Sequence, residues 1–195
     1  MGPALHAETV ITDPKTSFTL IEQRNDLGEQ TACGVEFIVY TDYSGVQGRM
    51  VVNRFQRLQF DFGVGQVDEF GEYSNVPLKG GILQPAGFDG GEKLPLTFSW
   101  DQQKQEPVYD QPRLKAWRSE MIQALLYSGF TLTYSTLENP DKPVKFENVV
   151  GDFEIGKKYN ECQSAMAKNV QDIYKSKHGG STECLDNPDA CLKKE

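Results

Sequence analysis

The sequence predicts a mainly β protein: an antiparallel β-sandwich or barrel-like domain with a short helix over about 114–127 and a C-terminal helix over about 156–176. Three observations carry this. Leu58, Phe60, Phe62 and Val64 alternate with Gln59, Asp61 and Gly63, the period of a half-buried strand. Glycine and proline punctuate the middle of the chain, 18 and 10 residues in all, as short strands joined by tight turns require. The apolar period lengthens to that of a helix near residue 120 and again near residue 160.

Each element follows in order. Residues 1–16 read as lead-in, and "FTLIEQ" as the first strand. "CGVEFIVYTD" places Val35, Phe37 and Val39 on one face. "SGVQG", residues 44–48, reads as a turn, and "RMVVNRFQRLQFDFGVG" as the strand region after it. From 66 to 100, short strands alternate with Gly and Pro. The polar run 101–114, with two prolines, reads as a loop. A helix from Leu114 to Tyr127 would bury Trp117, Met121, Ala124 and Leu125, and Gly129 would stop it by taking a left-handed cap. "TLTYSTLE" and "VKFENVV" form strands around the turn "NPDKP". The run "GKKYNECQSAMAKNVQDIYKSK" is helical, with Tyr159, Cys162 and Met166 as its apolar seam. The last stretch reads as a mobile, cysteine-containing tail. The chain therefore divides into a signal-peptide remnant or expression scar over 1–8, one domain over 9–176, and a tail over 177–195.

A chain of 195 residues is long enough to bury a sizeable core. Its formal charge of −8 repels phosphates, which argues against nucleic acid as a partner. The densest basic cluster, Lys104, Arg113, Lys115 and Arg118, reads as a solvated face. No stretch approaches the roughly 20 apolar residues of a membrane-crossing helix. "ALHA", ahead of Glu8, resembles the small-residue end of a secretory signal. The even cysteine count agrees with export to the periplasm or medium.

Those cysteines are Cys33, Cys162, Cys184 and Cys191, and three pairings are open. Cys184 and Cys191 flank the turn-rich "LDNPDA" and could close on themselves. Cys33 and Cys162 would then tie an early strand to the late helix. There is no C-x-x-C, and His6 and His178 lie at opposite ends of the chain, so no zinc site is expected. The same two histidines lack a local Ser or Cys partner, which argues against nucleophilic hydrolysis.

Carboxylates are plentiful at Asp61, Asp68, Glu69, Glu72, Asp89 and Glu92. A glycosidase needs two of them about 5–10 Å apart in a cleft, whereas an acidic surface supplies such pairs by chance. "FDGGE", residues 88–92, lacks the D-x-D-x-DG pattern of a calcium loop. "KGG" and "DGG" lack the spacing of a phosphate loop. No catalytic, metal or cofactor residue is assigned. Aromatics near strand ends and loops, Tyr40, Tyr43, Phe70, Tyr73 and Tyr109, are the candidate contacts for a protein partner. The 101–114 segment and the extension beyond Lys175 are further contact elements.

From Glu120 to Phe153 the chain runs helix, "QALLYSGFTLTY", turn, "KPVKFENVVGDFE" and a closing segment. Ile122, Ala124, Leu125, Gly129, Leu132, Val144, Phe146 and Phe153 carry a resemblance to the C-terminal half of the invasion-associated locus B family of exported bacterial proteins. That resemblance covers residues 120–153 of the 195. It implies a small periplasmic or envelope-associated β-sandwich, and brings no catalytic residues with it. Where the family has a cysteine-bearing stretch before the helix, this chain has "WDQQKQEPVYDQP". The functional expectation is a non-enzymatic exported binding or accessory protein, working through protein contacts as part of an envelope assembly. One alternative is an inhibitor of a secreted enzyme such as a lysozyme, using the acidic "GQVDEFGEY" against a basic target. Another is a hydrolase built on two carboxylates.

Overall fold

A computed structural model describes residues 8–42, 44–55, 57–67, 73–86, 96–101, 103, 106–110 and 117–177. The fold is mainly β; the described residues form two sheets and two helices. The strands are β1 (Thr9–Thr12), β2 (Lys15–Arg24), β3 (Gln30–Tyr40), β4 (Ser44–Asn53), β5 (Leu58–Val67), β6 (Tyr73–Asn75), β7 (Leu78–Pro85), β8 (Leu96–Asp101), β9 (Glu106–Asp110), β10 (Phe130–Thr136) and β11 (Val144–Val149). The helices are α1 (Trp117–Ser128) and α2 (Phe153–Lys177). One sheet has the order β1-β11-β10-β7-β8-β9, the other β2-β3-β4-β5-β6.

The second sheet is a meander fixed by the period-2 pattern. Cys33, Val35, Phe37 and Val39 pair in register with Val52, Met50, Gly48 and Val46. These in turn pair with Leu58, Phe60, Phe62 and Val64. All but Gly48 belong to one buried core, so this face points inward, as the alternation predicts. The sheets meet through Phe37 of β3 and Phe130 of β10, ring centroids 5.1 Å apart, with Phe18 of β2 edge-on to Phe130 at 6.4 Å. Toward Cys33 the same face is covered by α2. There the Cys33–Cys162 disulfide joins strand to helix, with Cα atoms 5.9 Å apart. Of the three pairings open in the sequence, this bond is the one formed among the described residues; Cys184 and Cys191 lie outside them.

Several expectations need correction. The lead-in is not featureless: Thr9–Thr12 is a strand, and it runs parallel to β11 rather than antiparallel. Asp13, in a left-handed conformation (φ 52°), and Pro14 bend the chain so that it crosses from one sheet to the other. "SGVQG" is not the turn. The reversal comes earlier, where Thr41 N donates to Ser44 O at 2.8 Å. Gly48 lies inside β4 because the Phe37 ring packs onto its Cα, where a Cβ would collide with it. The 101–114 segment is not all loop: β9 runs within it and pairs with β8. In α1 the buried stripe is Met121, Ile122, Leu125 and Leu126, while Ala124 is only half-buried. The C-terminal helix starts at Phe153, three residues before the expected start, because Asp152 caps it.

Candidate functional site

A concavity sits where α1, β10, β11 and α2 converge, and glycines shape the backbone around it. Gly129 ends α1 with φ 77°, and its N–H donates to Leu125 O at 3.1 Å. This is the left-handed C-terminal cap that glycine adopts without penalty. The chain then reverses into β10, and Gly129 O accepts from Ala86 N at 2.9 Å. A Cβ on Gly129 would strike Val149 O, and one on Gly151 would strike the carbonyls of Leu125 and Leu126. Backbone thus lies against backbone on both sides of the reversal.

An extra residue in β11 aims the next side chains. Phe130 pairs with Val149, but Leu132 pairs with Phe146, so β11 carries one residue more than β10 between these points. Asn148 takes the left-handed conformation (φ 55°) at this bulge, which asparagine tolerates better than most residues. Four residues on, Asp152 caps α2: its Oδ1 accepts from Ile155 N at 3.0 Å, and its carbonyl accepts from Gly156 N at 2.9 Å. This N-cap satisfies donors that the first helical turn would otherwise leave unpaired.

The result is a cavity of about 480 Å³ lined by Tyr127, Ser128, Phe130, Asn148, Val150 and Phe153, among others. Its rim is apolar and open to solvent: Val150 is 67% exposed, Phe153 58% and Tyr127 41%. The rim is held firmly. The Tyr127 ring rests on Gly156, and its hydroxyl accepts from Asn160 Nδ2 at 2.8 Å. Tyr127 and Phe153 make an edge contact at 5.3 Å. Lys157 Nζ lies 4.6 Å from the Phe153 ring centre and 2.9 Å from Glu154 Oε1. Behind the rim, Tyr159 is fully buried; its hydroxyl lies 3.2 Å from Ser119 Oγ and accepts from Gln163 Nε2 at 3.0 Å. Burial pushes the Tyr159 phenol well above its ordinary range, while both hydrogen bonds pull it down. In β10, burial alone pushes Tyr134 up to about 12. Both phenols stay neutral across the physiological range.

The aromatics singled out from the sequence are not this site. Tyr40 is 38% exposed at the end of β3. The backbone of Tyr73 opens β6, and that of Tyr109 lies in β9 of the other sheet. Tyr43 and Phe70 lie outside the described residues, as do Asp68, Glu69, Glu72, Asp89 and Glu92. Asp61 is on β5, beside Arg49 of β4. No three His, Cys, Asp or Glu side chains among the described residues converge as a metal site would need. No described helix is long and apolar enough to cross a membrane. Tyr127 and Phe153 did carry a signal in the sequence. Each is a large aromatic set off the apolar stripe of its own helix.

Comparisons with protein-family models, with curated proteins and with solved structures give no match.

Proposed function

We propose that this protein is a non-enzymatic binding or accessory protein, exported to the periplasm or medium, that acts through protein–protein contacts. The docking element is the rim formed by Tyr127, Val150 and Phe153. The observation that carries the reading is this rim: three adjacent large apolar side chains, substantially exposed, around a cavity of about 480 Å³. Exposed aromatics over a concavity fit the anchor-and-pocket pattern of protein interfaces. The rim is already ordered by the Gly156 contact, the Asn160 hydrogen bond and the Asp152 cap, so a partner need not supply that ordering. The buried Cys33–Cys162 disulfide supports an oxidising compartment. The resemblance to the invasion-associated locus B family points to the same compartment.

The test is a paired capture experiment with tagged wild-type protein and a Val150→Asp/Phe153→Asp double variant. Both side chains are exposed, so the variant should melt within a few degrees of wild type. A stoichiometric partner held by wild type and lost by the variant supports the proposal. A partner held equally by both moves the interface elsewhere, and two partnerless baits count against a binding role.

A further inference from the structure

The outward face of the second sheet carries a different arrangement. The register stacks its outward residues in rows across β3, β4 and β5. Glu36 lies opposite Arg49 and Arg49 opposite Asp61; Ile38 lies opposite Gln47 and Gln47 opposite Gly63; Tyr40 lies opposite Gly45. Down the strands the surface therefore passes from a carboxylate–guanidinium–carboxylate row to an amide beside a glycine floor, then to a half-exposed tyrosine ring. A depression of about 320 Å³ lies over this grid, lined by Glu36, Gln47, Arg49, Asp61, Phe62 and Gly63. Its floor is open at Gly63, where a Cβ would meet nothing within 4 Å.

Arg49 is the unusual member. Its Nε is buried and has no hydrogen-bond partner among the described residues. The described ion pairs are Lys15–Asp42, Arg24–Glu22, Lys145–Glu147 and Lys157–Glu154; none includes Arg49, although a carboxylate stands in register on either side. A buried donor without an acceptor costs free energy until something supplies one.

We infer that this face is a binding site for neutral polyhydroxylated ligands, namely oligosaccharides. The charge pattern selects them. A polyanion meets Glu36 and Asp61, and a polycation meets Arg49, so neither gains along the whole row. A hydroxyl group can accept from the guanidinium and donate to a carboxylate at once. Gln47 offers a donor and an acceptor together. Tyr40 supplies an apolar ring face for the C–H side of a sugar ring. The distance from Glu36 to Tyr40 along β3 is about 13 Å at the rise of a strand, which suits several linked sugar units better than one. This site is separate from the Tyr127–Phe153 rim and does not depend on it.

The test is a titration of the full-length, isotope-labelled protein with maltohexaose, xylohexaose, mannohexaose and chitohexaose, read by amide chemical shifts. At least one saccharide should move signals from the outward positions of β3–β5. Gly63→Val should weaken that saccharide by about tenfold or more by filling the depression, and should still melt with wild type. Arg49→Met should weaken it similarly, while Phe153→Asp should leave it unchanged. The inference is overturned if no saccharide moves these signals at about 10 mM, a concentration that reveals millimolar affinity. It is overturned equally if the shifts survive Gly63→Val, or if only a lysine-rich peptide or a sulfated polysaccharide perturbs this face.

Discussion

Two glycine-lined hollows in this molecule are built on opposite principles. At the α1–β10 reversal, Gly129 and Gly151 are pressed against the carbonyls of Val149, Leu125 and Leu126. Glycine is there because two chain segments share the space. On the outward face of the second sheet, Gly63 has nothing within 4 Å of where a side chain would begin. Glycine there leaves a floor uncovered. The first hollow is rimmed by aromatic and aliphatic groups, the second by charged and amide groups. Close approach makes the first a rigid platform, whereas emptiness makes the second receptive. The same residue type thus has opposite energetic meaning a few strands apart.

Breaking the covalent tie on the helix-covered side should have the largest effect. Replacing both Cys33 and Cys162 by Ala releases a constraint spanning 129 residues. On the loop-entropy model this lowers stability by about 5 kcal/mol, measurable as a shift of the urea midpoint. Gly129→Val should follow, at about 3 kcal/mol or more. A β-branched residue is strained at this φ, and its Cβ meets backbone that cannot move aside. An unchanged midpoint would remove the reason given for the reversal.

Alkali should act on the packed interior next. Burial holds the Tyr134 pKa at about 12, above its ordinary value of 10.0. Its contribution is fully present below pH 10 and is lost as pH rises through about 12, because the unfolded chain ionises first. The slope is about 1.4 kcal/mol per pH unit for this group. Denaturation midpoints across that window, with Tyr134→Phe as the control, isolate it. Gly63→Val should do least, changing stability by no more than about 0.5 kcal/mol. The contrast between Gly129→Val and Gly63→Val is the sharpest form of the comparison, since the substitution is the same and only the surroundings differ.

The meander β3–β5 was legible in the sequence because each strand has one wet face and one dry face, so alternation reports it directly. Both helices were legible to within a few residues, and the Gly129 stop was readable from glycine chemistry. Elements defined by distant partners were not. β1 is four residues long and owes its existence to β11. Gly48 looked like a turn residue, yet it is a strand residue that makes room for Phe37. The rim was hidden for the same reason. Tyr127 and Phe153 each stand off the apolar stripe of their helix, but they meet Val150 only because the chain reverses at Gly129 and α2 starts after the Asp152 cap. The charged row on the outer face was equally hidden, since Glu36, Arg49 and Asp61 become neighbours only through register.

The bend at Asp13 and Pro14 bears on when the protein can fold. β1 waits for β11, Thr16 Oγ1 donates to Val150 O across 134 residues, and Cys33 waits for Cys162 across 129. None of these closures is available until most of the chain has been made. The β3–β5 meander, with its short hairpin connections, can assemble early, but its inner face stays uncovered until β10 and α2, both late in the chain, pack onto it. Pairings this far apart in the chain slow folding and prolong the exposure of apolar surface. The Cys33–Cys162 bond spans 129 residues, so it too can form only after most of the chain is available.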